Sequence, residues 1–269
     1  MTLLVRSWWW RFGLYLLCDA LWLGALFHGV LNTPQWSPYL LTHPAVLVLY
    51  NIVSQSIVEA VPVVLAWLLL VRPDRLTIIN SGRSLRSIAL GVGLAFLIIL
   101  PLAGWIAGVP RTEGLITWVI PGLASLAVAI GEEYTARFAV WSSLMGRVGV
   151  KWGAVGATGY FVLGHAFELW RNYQSYVGHA LWPAVGAPLL EGILPLAVVT
   201  LWVVWRSGSL IPAIGMHWAG DWLPWQAVSN FVTMVVEVIP LLIGIMAAEA
   251  MVWGSSVIQK RQGHQLVKT

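Results

Sequence analysis

The sequence predicts an all-α fold: a polytopic membrane helix bundle of about eight transmembrane helices, with both termini cytoplasmic. Three observations carry this. Of 269 residues, 59% are hydrophobic and only 10% are charged, whereas soluble domains carry about 25% charged residues. A chain so poor in charge cannot cover a water-facing surface, so its solvent is largely lipid. The apolar runs are continuous, not alternating, which selects helices over barrel strands as the way to satisfy backbone groups in lipid. The basic residues fall on alternate loops, as an even number of spans requires.

The apolar segments are approximately 12–31, 45–71, 87–108, 115–144, 152–169, 181–205, 208–225 and 229–253. Most match the roughly 20 residues that cross the hydrocarbon core, and the longest must tilt or protrude. With the N-terminus inside, the inner segments hold Arg6, Arg11, Arg72, Arg75, Arg83, Arg86, Arg147, Lys151, Arg206, Lys260, Arg261 and Lys268. The outer loops hold Arg111 and Arg171, and Arg137 falls within a helix. Many of the tryptophans, Trp8, Trp9 and Trp10 among them, sit at the ends of apolar runs, as an interfacial aromatic belt does. The first apolar run lacks a small-residue cleavage site and reads as a retained helix. The sole cysteine, Cys18, excludes an internal disulfide framework and a CxxC metal site. No soluble domain or internal repeat stands out, so residues 1–269 read as a single transmembrane domain.

Ionisable groups at membrane depth are costly and demand a partner or a task. The fourth segment carries Glu132, Glu133 and Arg137; the fifth carries Phe161 and His165; the seventh carries His217 and Asp221. Glu133 and Arg137, four apart on one helix face, form a structural pair. Glu132 points about 100° away and faces a cavity or a partner helix. Phe161 and His165 share a face, as do His217 and Asp221. At 1.5 Å per residue, Glu132 and His165 lie roughly 20 Å from the cytoplasmic end and His217 roughly 15 Å. Three helices are thus expected to bring a carboxylate and two imidazoles to a similar level.

A carboxylate beside a histidine can hold a water and take its proton. A second histidine, with Asp221 one turn on, can donate to charge developing on a carbonyl oxygen, and low dielectric strengthens both effects. This is peptidase or amidase chemistry without a covalent nucleophile. The chain lacks a G-x-S-x-G elbow and an H-E-x-x-H helix, which argues against a serine hydrolase and a standard zincin.

These residues resemble the CAAX protease and bacteriocin-processing family (CPBP, Abi-type) of intramembrane glutamic endopeptidases, whose pattern is EExxxR, FxxxH and HxxxN or HxxxD on successive helices. Glu132-Glu133 with Arg137, Phe161 with His165, and His217 with Asp221 occur in that order, and Gly208-Ser209-Leu210 matches the approach to the second histidine. The resemblance spans about 115–225. It implies an intramembrane endopeptidase in which Glu132 and His165 hold the catalytic water and His217 and Asp221 shape an oxyanion site. Glu133, Arg137 and Phe161 would support the helices. The implied substrate is a membrane-embedded or lipidated peptide, with the bilayer as the other partner, and a multi-pass location in a prokaryotic inner membrane follows. No cofactor, metal or nucleic acid is expected.

Three rivals use the same residues. A proton-coupled transporter would employ the buried Glu, His and Asp groups as a relay, but lacks its usual paired broken repeats here. A zinc enzyme could take two His and a Glu as ligands. A non-catalytic scaffold or immunity protein would need them only for packing. Asp19, Glu59, Glu191, Glu237 and Glu249 also lie in or beside apolar segments, and Glu191 is the foremost candidate for an additional cavity residue. His179, Glu168 and Arg171 read as solvated groups near an outer loop.

Overall fold

The computed structural model describes residues 2–25, 44–70, 115–175, 178, 180–222, 241–242, 245–250 and 252–253. The segment 87–108, the arginine-bearing loop 72–86, most of the segment 229–253, His179 and Glu237 lie outside the described residues. All regular structure among the described residues is helical. The helices are α1 (Thr2–Ala25), α2 (Pro44–Leu69), α3 (Leu115–Glu133), α4 (Ser142–Gly164), α5 (Ala166–Ser175), α6 (Leu194–Ser207) and α7 (Ile211–Trp222). A π-helical stretch, Tyr134–Trp141, joins α3 to α4.

The chain divides into two compact units, residues 1–75 with 113–197, and residues 76–112 with 198–269. In the first, α1 packs on α2, α2 on α3, and α4 on the π-helical stretch. The inward face of α1 carries Trp8, Tyr15 and Asp19, all buried, at spacings of seven and four that place them in one stripe. Its other faces are apolar and exposed, with Trp10 and Leu21 outward. Trp67 on α2 and Leu163 on α4 are likewise exposed. Apolar side chains on outward faces suit a lipid solvent, which exacts no cost for them.

Specific polar contacts fix the register of these helices. The Trp22 indole N–H donates to the Val58 carbonyl at 3.1 Å, tying α1 to α2. The Ser143 hydroxyl donates to the Leu70 carbonyl at 3.3 Å, tying the start of α4 to the end of α2. The Arg147 guanidinium lies over the Trp8 ring at 3.9 Å, while its Nη1 donates to the Ser143 carbonyl at 2.7 Å. Both residues sit at the end that the charge pattern assigns to the cytoplasm.

The fourth and fifth apolar segments differ in detail from their expected form. The run 115–144 is not uniform α-helix, because eight residues after Glu133 widen to the π form. Thr135 contributes to this: its hydroxyl donates back to the Gly131 carbonyl at 2.9 Å, with Glu132's carbonyl at 3.1 Å, in competition with the helical ladder. Helix α4 turns at Gly149, whose φ of +84° favours glycine, and this bend marks the expected loop between the two segments. Helical structure then runs on past His165 to residue 175, beyond the expected limit of 169.

The sixth segment, expected at 181–205, is a helix over Trp182–Ser207, the one helix among the described residues long and apolar enough to cross a membrane. Its first half contains two π-helical turns, each with proline at its start, Pro183 and Pro188. Proline removes an N–H and crowds the preceding turn, and a wider turn accommodates both.

In the second unit, α6 ends at Ser207 and the chain reverses through Gly208, at φ +65°. The turn is closed by reciprocal bonds: the Ser207 hydroxyl donates to the Ser209 carbonyl at 3.1 Å, and the Ser209 N–H donates to the Ser207 hydroxyl at 3.2 Å. The Ile211 N–H donates to the Ser209 hydroxyl at 3.2 Å, which caps α7. An exposed bidentate pair, Arg206 with Glu249 at 2.7 and 2.9 Å, ties the end of α6 to the helix at residues 245–250.

Candidate functional site

The first unit contains a half-open cavity of about 430 Å³, bordered by residues of α1, α2, α3, the π-helical stretch, α4 and α5. Glu132 and His165 both border it. The Glu132 Oε2 atom stands 3.8 Å from His165 Nε2. Helix α4 ends at His165, whose φ of −86° and ψ of 0° lie in the bridge region, where helix phase breaks and active-site residues often sit.

The orientation of the imidazole is set from behind. His165 Nδ1 is 2.9 Å from the Phe161 carbonyl oxygen. A carbonyl can only accept, so Nδ1 carries the proton of this bond, and in the neutral ring Nε2 presents its lone pair toward Glu132. Two acceptors thus face one another at 3.8 Å. A donor with two hydrogens can bond to both.

A column of contacts supports that imidazole. The rings of His165 and Phe161 are 4.8 Å apart, and the Arg137 guanidinium lies 4.5 Å from the centre of the Phe161 ring. Arg137 is fully buried, as is Glu133, whose Oε2 is 3.4 Å from Arg137 Nε. Phe161 also packs with Ala136 and Ala197 in an apolar cluster. Glu133, Arg137, Phe161 and His165 are therefore one continuous stack, with charge at its buried end and the imidazole at the cavity.

The second unit holds the other pair. His217 Nε2 lies 3.4 Å from Asp221 Oδ2. His217 is buried and Asp221 is partly exposed. Around them α7 buries Pro212, Ala213, Gly215, Met216, Ala219 and Trp222, and Trp218 stacks on Trp222 at 5.4 Å. Small residues on this face allow close helix approach, the usual packing in lipid. The structure describes each His–carboxylate pair within its own unit.

Sequence reasoning left four cavity residues unassigned or misplaced. Asp19 and Glu59 border the cavity together with Glu132 and His165. The signal for Asp19 was its position in an apolar helix, but the partner that reveals its role, Tyr160, is 141 residues away. Glu191, the preferred extra cavity residue, is exposed and does not border this cavity. Glu168 and Arg171 are exposed, as expected, yet they lie on α5 and also border the cavity. Helix α5 continues directly from His165, which carries them there.

A model of the family described as Type II CAAX prenyl endopeptidase Rce1-like matches residues 114–223, somewhat less than half of the chain. The match contains every motif residue from Glu132 to Asp221, and the resemblance read from those motifs holds over that stretch. It supports a membrane endopeptidase in general terms. No curated protein and no solved structure gives a significant match.

Proposed function

We propose, from the premise that residues 114–223 form an Rce1-like CAAX endopeptidase region, that this chain is a metal-independent intramembrane endopeptidase of the glutamic type. One observation carries the reading: a carboxylate and an imidazole face each other across a cavity, with the imidazole proton held on the far side by Phe161. A water donating one hydrogen to Glu132 and the other to His165 Nε2 keeps its lone pairs for a scissile carbonyl. Attack transfers the water proton to Glu132, and collapse of the tetrahedral intermediate returns it to the leaving amine. The second imidazole, His217, is assigned the oxyanion role by the family pattern. Asp221 faces Nε2 at 3.4 Å and orients the ring, and donation to the oxyanion falls to Nδ1 of the imidazolium, whose charge Asp221 balances.

The substrate class that fits is a membrane-embedded or lipidated peptide, reached from the cytoplasmic half of the bilayer. The chain as a whole is read as a single transmembrane domain of about eight spans with both termini inside, in a prokaryotic inner membrane. The charge distribution supports that topology, and the apolar outward faces support the lipid setting.

The test is a comparison of membrane peptides by mass spectrometry between cells carrying the wild type and Glu132→Gln, with His165→Ala alongside. Peptides released by the wild type should vanish in both variants, while expression and melting temperature stay close to wild type. Release that survives both substitutions overturns the assignment. Retention of cleavage in the presence of a strong zinc chelator is the expected result for a glutamic mechanism.

A further inference from the structure

The proposed mechanism uses only one side of the cavity. Asp19 of α1 and Glu59 of α2 border it as well, and neither is needed to hold a water. Asp19 is only 5% exposed. Its Oδ2 accepts a hydrogen bond from the Tyr160 hydroxyl at 2.8 Å, and that hydroxyl is 2.6 Å from the hydroxyl of Tyr15. Because the Tyr160 proton goes to Asp19, the Tyr15 proton goes to Tyr160. Two phenol protons are thus committed to a chain that ends on one carboxylate oxygen.

The other oxygen, Asp19 Oδ1, is buried with no hydrogen-bond partner among the described residues. A carboxylate oxygen left unsatisfied at membrane depth is costly, and such groups persist where they have a task. The charge around the cavity says what could relieve it. Asp19, Glu59, Glu132 and Glu168 border the cavity with one guanidinium, Arg171, and one imidazole, His165, so carboxylates outnumber basic groups and the cavity favours a cation or a strong N–H donor. Glu59 is also seated deliberately. A Cβ on Gly131 would come within 2.5 Å of the Glu59 Cβ, so only glycine there lets α2 bring Glu59 to this place.

We infer that Asp19, with Glu59 bordering the same cavity, is a recognition subsite for a cationic group of the substrate, a lysine or arginine side chain close to the scissile bond. The inference rests on the peptidase reading and names its substrate class: a basic, membrane-associated peptide. Asp19 meets the cation with Oδ1, which is buried and lacks a hydrogen-bond partner among the described residues before a substrate enters, while Tyr160 donates to its other oxygen.

The experiment uses two farnesylated fluorogenic peptides that differ only in lysine or norleucine beside the scissile bond. Binding is measured on full-length Glu132→Gln protein in nanodiscs, so that no cleavage intervenes. The lysine peptide is expected to bind at least tenfold more tightly, and Asp19→Asn added to this background should bring its affinity down to that of the norleucine peptide. Tyr160→Phe separates recognition from packing, because it removes the hydroxyl and keeps the carboxylate. The lysine preference should survive it. Equal affinities of the two peptides for the Asp19 protein overturn the inference, as does loss of the preference in Tyr160→Phe to the same extent as in Asp19→Asn. Cleavage by the wild type is scored separately: if the lysine preference in binding stands but neither peptide is cut, the peptidase reading fails and the subsite does not.

Discussion

Replacing Arg137 with methionine tests whether the charged end of the stack is what holds the imidazole. Arg137 and Glu133 are both 0% exposed, with 3.4 Å between Nε and Oε2. Removing the guanidinium leaves a carboxylate buried beside an apolar side chain. Breaking a buried pair from one side costs about 3–5 kcal/mol. For a chain of this size each kcal/mol lowers the melting temperature by about 2–4 °C, so Arg137→Met should melt roughly 6–20 °C lower. The double variant Glu133→Leu/Arg137→Met replaces the whole pair with apolar side chains of similar volume and should recover most of that loss, since such a replacement of a buried pair is often near neutral. The assay is thermal unfolding in a fixed detergent, followed by intrinsic tryptophan fluorescence. If the single and double variants melt within a degree or two of each other, the two side chains are not coupled and the stack is not an electrostatic brace.

Other outcomes follow from the same contacts. Phe161→Ala removes a 3% exposed ring that lies between Arg137 and His165, and should cost about 3–5 kcal/mol in stability measured by denaturant unfolding, with peptide release lost at temperatures where the variant is still folded. Gly131→Ala forces a methyl group into Glu59 and should destabilise by about 1–3 kcal/mol in the same assay; an unchanged midpoint would show that α2 shifts freely. His217→Gln, which keeps most of the volume of this buried side chain, should leave the melting temperature within a few degrees while abolishing peptide release in the mass-spectrometric comparison, and normal release would remove it from the mechanism. Arg206→Ala breaks an exposed pair and should leave both the melting temperature and peptide release unchanged, because solvent screening discounts such contacts.

The sequence by itself determined the solvent, the helical class and the chemical alphabet of the site. Scarcity of charge fixes lipid as the medium, and a lipid medium leaves only helices for continuous apolar runs. Spacings of four residues put Glu133 with Arg137, Phe161 with His165 and His217 with Asp221, because one helical turn is a local property that needs no tertiary information. Tertiary structure decided everything that joins residues far apart in the chain. The carboxylate of Asp19 and the hydroxyl of Tyr160 meet across 141 positions, and no periodicity announces it. The π-helical stretch after Glu133 and the turn at His165 lie inside apolar runs, so hydropathy reads straight through them. The same limit explains Glu191: polarity in an apolar run marks it as unusual, but the direction a side chain faces is set by the helices packed around it.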